Sequence, residues 1–102
     1  MKRLVLQVAD SAWERLNDLA VFWEKFHSDE RIEEMVDEIL DAAEWLRDHP
    51  RAGAIEVFMK KKRFEYRRWV VGHIKIIYCV TRTSIRVSDF FDSRQDPSKM
   101  KG

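Results

Sequence analysis

The chain has 102 residues, 45% hydrophobic and 36% charged, with a net charge of +1 at neutral pH. This size predicts one domain over residues 1–102 with a modest core, and the composition excludes a disordered chain. Apolar runs of only a few residues exclude a membrane span. One cysteine (Cys79) and an opening "MKRLVLQVADSAW" without a signal-peptide pattern predict a reducing, cytoplasmic setting.

The small net charge hides an asymmetry. Residues 1–56 carry 14 acidic and 7 basic side chains, and residues 57–102 carry 4 acidic and 12 basic. A basic half of this kind is suited to facing an anion.

In chain order, residues 3–8 ("RLVLQV") read as a short strand with Leu4, Leu6 and Val8 on one face. Ser11 and Glu14 have capping-box spacing, so a helix is expected to start there and end near His27. Trp13, Leu16, Leu19, Ala20, Trp23 and Phe26 form its apolar side. A second helix is expected from Glu30 to Arg47, after capping residues in "HSDE". It buries Ile32, Met35, Val36, Ile39, Ala43 and Leu46. Pro50 and Gly53 stop it.

Beyond Gly53 the period becomes that of strands. "IEVFM", "FEYRRWVV", "HIKIIYCVT" and "SIRVSDFFD" predict a meander with tight turns at Gly72-His73 and Thr81–Ser84. The polar tail "SRQDPSKMKG" is expected to fray. The result is an α+β fold, with an N-terminal strand and a helical hairpin packed on one face of a mostly antiparallel sheet.

The helices cover one face only. Ile74, Ile76, Tyr78 and Val80 are the more apolar set on the central strand, so Lys75 is expected on the uncovered face. Arg67 and Arg68 point opposite ways, and only one joins Lys75. A two-residue turn favours Arg68 and an odd-length loop favours Arg67.

Other chemistry is poorly supported. His27, His49 and His73 are scattered and there is no Cys-x-x-Cys, so no metal site is expected. The three glycines are isolated, so no phosphate loop and no cofactor are expected. Cys79 reads as a small hydrophobe, "DERIEEMVDEILDAAE" as a solvated helix face, and Trp13, Trp23 and Trp45 as core. The remaining signal is cationic: Lys60, Lys61, Lys62 and Arg63 in "KKKR", Arg86, Lys75, Arg94, and Arg67 or Arg68. Guanidinium and ammonium groups bind phosphate oxygens and stabilise charge at phosphorus.

In element order, and in "WLRDHPRAG", "YRRWVVGHIKIIYCV" and "IRVSDFFDSRQDP", the chain resembles toxins of the RelE/ParE superfamily, from bacterial type II toxin–antitoxin (plasmid stabilization) systems. The resemblance spans nearly the whole chain. It implies a cytoplasmic toxin neutralised by a cognate antitoxin, with which it forms a hetero-oligomer. For RelE-type members it implies an endoribonuclease that cleaves mRNA on the ribosome. Lys75, Arg94 and Arg67 or Arg68 then match the catalytic cations, and Lys60, Lys61, Lys62, Arg63 and Arg86 would bind RNA. RelE-type toxins also carry a catalytic tyrosine past the arginine that Arg94 matches, where this chain has Met100. The alternative implied by the same resemblance is a ParE-type toxin, which lacks the nuclease residues and inhibits DNA gyrase.

Overall fold

Alternation of apolar residues at Leu4, Leu6 and Val8 sets the first strand, β1 (Val5–Val8), with these three packed against the core. The computed structural model describes residues 3–60 and 62–102. The first helix, α1 (Asp10–Trp23), follows β1 directly, with Ala9 at its cap. The Ala9 N–H donates to Val87 O, and its carbonyl accepts from Ala12 and Trp13. Helical geometry is therefore imposed at residue 10 by the strand pairing. Ser11 already lies in the first turn, and the expected Ser11–Glu14 capping box does not form.

That early start also rotates the buried stripe. Ala12, Leu16, Leu19 and Trp23 face the core, whereas Trp13 and Phe26 are exposed. The second helix, α2 (Asp29–Trp45), is capped by Ser28, whose hydroxyl accepts from the Arg31 N–H at 3.2 Å. Ile32, Ile39, Ala43 and Leu46 are buried as their spacing predicts, with Met35 and Val36 packed beside them.

The remaining strands are β2 (Ala54–Ile55), β3 (Arg67–Val71), β4 (Ile74–Val80) and β5 (Ser84–Asp92). Together they form a mixed sheet of order β1-β5-β4-β3-β2 with both helices on one face. Pairing is antiparallel except between β1 and β5, where Val5 aligns with Ser84 and Val8 with Val87. The fold is thus α+β, two helices on a five-stranded sheet. Val71 pairs with Ile74 across a two-residue turn at Gly72-His73, where Gly72 has φ +60. Glycine adopts that left-handed geometry without the penalty a Cβ would bring.

Two expectations need correction. "IEVFM" is not one strand: β2 ends at Ile55, and Val57–Met59 form a single 3-10 turn. Glu56 forces the turn. Its N–H donates to Tyr66 O at 2.8 Å, and its carboxylate accepts from the Phe58 N–H. The tail does not fray either. Pro97–Lys99 form a second 3-10 turn, and Met100 is buried with Met59, Tyr66, Ile77, Cys79 and Phe91. A small second core therefore covers part of the sheet face expected to be open.

Candidate functional site

The face of the sheet opposite the helices is built from alternate residues of β3, β4 and β5. Register places Val70 opposite Lys75 and Arg68 opposite Ile77, so Arg68 is the arginine that shares this face. Arg67, opposite Tyr78, turns the other way and donates to Gly53 O at 2.7 Å and to Glu65 at 3.0 Å.

Lys75 is not free. Its Nζ lies 3.3 Å from Glu56 Oε2 and 5.4 Å from the centre of the Phe58 ring, and Glu56 is fully buried. Arg68 approaches the same carboxylate at 3.8 Å and donates to Ile55 O at 2.7 Å. Glu56 thus engages both cations that β3 and β4 bring to this face and offsets one of their two charges. It was not foreseen as a site residue, although a lone carboxylate in the apolar run "AIEVFM" is a signal that it needs a partner.

Arg94 does not join them. It forms a two-point pair with Asp92, at 3.0 and 2.7 Å, and lines a separate cavity with Trp23, His27, Gly72 and His73 on the helix-covered side. This pairing holds the Asp92 carboxyl below its ordinary range, chiefly through the Arg94 side-chain hydrogen bond. The Lys75–Arg94 constellation expected from sequence is therefore split between opposite faces of the sheet.

What the open side does assemble is a pair of adjoining depressions. One, of about 370 Å³, is lined by Gln7, Tyr66, Cys79, Arg86, Ser88 and Lys101 among others. The second, of about 310 Å³, has Lys60, Lys62, Arg63 and Glu65 on its walls. Phe64 and Tyr66 line both. Arg86 is held in place by pairing opposite Cys79 on β4 and Gln7 on β1. Among the described residues, Arg86, Lys60, Lys62 and Arg63 make no ion pair, whereas Glu65 is paired with Arg67. Lys61 lies outside the described residues.

Burial pushes the Tyr66 phenol and the Cys79 thiol up from their ordinary values, against the opposing pull of the Arg86 guanidinium. Both groups are protonated at neutral pH, so Cys79 is not an activated nucleophile. Tyr66 presents a phenol that can donate a hydrogen bond. Sequence reasoning passed over it because it sits within an apolar–basic strand pattern. Trp45 also departs from its expected place in the core. It is partly exposed and stacks between His49 and Trp69, at 4.0 and 5.0 Å between ring centres. Among the described residues, no three His, Cys, Asp or Glu side chains are grouped to hold a metal, and no helix is long and apolar enough to cross a membrane.

Comparison with protein-family models gives no match, and comparison with curated proteins gives none. The functional reading therefore stands on the residues themselves and on the sequence resemblance.

Proposed function

We propose that this chain is the toxin of a bacterial type II toxin–antitoxin pair of the RelE/ParE kind, and that it blocks translation by engaging mRNA on the ribosome. The observation that carries this reading is the cluster of unpaired cations around the two depressions: Arg86 beside Tyr66 on one side, and Lys60, Lys62 and Arg63 on the other. Phosphate oxygens are ligands for such groups, and the acidic side chains nearby are already paired. In this reading Arg86, rather than Lys75 or Arg94, is the phosphate-binding residue. The Tyr66 phenol stands in the same small core as Met100, the residue found where RelE-type toxins carry their tyrosine. The partner is an antitoxin with an acidic segment, drawn to the same cations and released by salt.

A second reading has its own support. Lys75 and Arg94 are both held in ion pairs, on opposite faces. A ParE-type inhibitor of DNA gyrase needs neither free.

Cell-free translation and gyrase supercoiling reactions, each given purified protein, test both. The first reading expects translation to stop with the message cut, and Arg86→Ala to slow the cutting by about 100-fold, as removal of a charge-stabilising group does. Inhibition of supercoiling with translation intact overturns it in favour of the second. Unimpaired growth on soluble expression without antitoxin overturns both.

A further inference from the structure

Phe64 occupies an unusual place for an apolar residue. The residue is 49% exposed, between the two depressions, and is part of the wall of each. The Arg63 guanidinium lies 5.5 Å from the centre of its ring. The depression on one side holds Arg86, and that on the other holds Lys60, Lys62 and Arg63. An aromatic ring between cations on both sides is how proteins hold unpaired nucleotides: bases stack on the ring while the flanking phosphates meet the charges.

From this arrangement we infer that Phe64 is a base-stacking platform for single-stranded RNA. The strand crosses the saddle from Arg86 to Lys62 and Arg63. This inference rests on the mRNA reading above and adds the path of the strand and the residue that grips it. A duplex is excluded, because paired bases offer no free face to the ring. Single-stranded RNA is the occupant that uses the whole saddle, because an acidic antitoxin segment would meet the cations and leave the exposed ring unused.

The test uses the full chain and fluorescently labelled octamers of uridine and of adenosine, read by anisotropy over a range of salt. Phe64→Ala is expected to weaken binding of both by roughly tenfold, since a stacked base is worth on the order of 1–3 kcal/mol. Its salt dependence should match the wild type, because no phosphate contact is removed. Phe64→Trp should restore affinity. Arg86→Ala and Lys62→Ala should each lower the salt slope by about 0.7, the value for one phosphate contact on a single strand.

Equal binding by wild type and Phe64→Ala, with RNA still bound, overturns the stacking platform and leaves the mRNA reading standing. A 20-base-pair RNA duplex competing as well as the single strand overturns it too. Failure of the wild type to bind either octamer, together with inhibited supercoiling, overturns the mRNA reading itself. Because Phe64 is half exposed, its truncation removes little packing. Unchanged circular dichroism and an unchanged urea midpoint confirm that the comparison is between folded proteins.

Discussion

The Lys75 ammonium lies 3.3 Å from the Glu56 carboxylate, which is wholly out of solvent, and 5.4 Å from the centre of the Phe58 ring. Removing Lys75 leaves this buried carboxylate only Arg68, at 3.8 Å, a loss of about 2 kcal/mol, less than for a buried charge with no partner at all. Lys75→Met is therefore expected to lower the unfolding free energy by that amount, read as a lower urea midpoint at constant m-value. The double variant Lys75→Met/Glu56→Leu should recover much of the loss, because no buried charge remains. Under the proposed toxin reading, growth inhibition lost in Lys75→Ala would then report a weakened fold, and only a variant of matched stability would speak to phosphate binding.

The tail gives a second prediction. Met100 is 7% exposed and packs with Met59, Tyr66 and Phe91. The Lys101 N–H donates to Asp89 at 2.9 Å, and the Ser88 hydroxyl donates to Lys101 O at 2.8 Å. Met100→Ala is expected to cost about 2 kcal/mol, typical of a buried methionine. Hydrogen exchange at Lys101 should speed up in parallel. A tail that merely frayed would show neither effect.

Two aspartates on β5 should give opposite pH dependences. Asp92 is held below its usual value of 3.8 by Arg94. Its stabilisation is full above the unfolded value and is lost as pH falls through the lowered folded one. Arg94→Ala should remove that acid-side loss. Asp89 is fully buried, and burial raises it above 3.8 against the pull of the Lys101 N–H and of Arg15. The folded state thus keeps the Asp89 proton longer than the unfolded one. This contribution is present below the unfolded value and fades as pH rises through the raised folded value. Asp89→Asn keeps an oxygen for the Lys101 N–H and should abolish that decline. Urea titrations across the acid range for the two variants check both signs.

Gly53 and Tyr78 form a fourth test. The Tyr78 hydroxyl accepts from the Gly53 N–H at 3.0 Å and donates to Pro50 O at 2.9 Å. Tyr78→Phe leaves both backbone groups unpaired and is expected to cost about 2 kcal/mol. A Cβ at Gly53 would stand 2.5 Å from Arg68 O and from the Tyr78 hydroxyl. Gly53→Ala should therefore destabilise by prying the helix exit from the sheet. Thermal unfolding of the two variants measures both effects.

Much of the fold was legible in the sequence because it depends on period and punctuation. The 3.6-residue stripe of α2 and its Ser28 cap, the alternation in β4, and the Gly72-His73 turn were all readable from neighbours in the chain. With the turn known to be two residues long, register alone assigns Arg68 to the open face. What escaped was set by distant residues. The start of α1 is fixed by the Ala9 N–H bond to Val87, and this moved Trp13 out of the core. The burial of Glu56 and Met100 comes from segments folding back over the sheet, which no local pattern announces. The candidate site shifted for the same reason. Charge composition located its cations, but only tertiary pairing showed that Lys75, Arg68 and Arg94 are occupied while Arg86, among the described residues, has no ion-pair partner.

The parallel pairing of β1 with β5 governs when this protein can exist. Val5 and Val8 find their partners, Ser84 and Val87, only near the other end of the chain. Contacts of such long sequence separation form after the intervening loop entropy has been overcome, which slows folding. During synthesis β1 emerges first and waits, its edge unpaired, until β5 has left the ribosome. The cationic surface around Arg86 is assembled in that last step, so a nascent chain carries the cations without the surface that gives them a common direction.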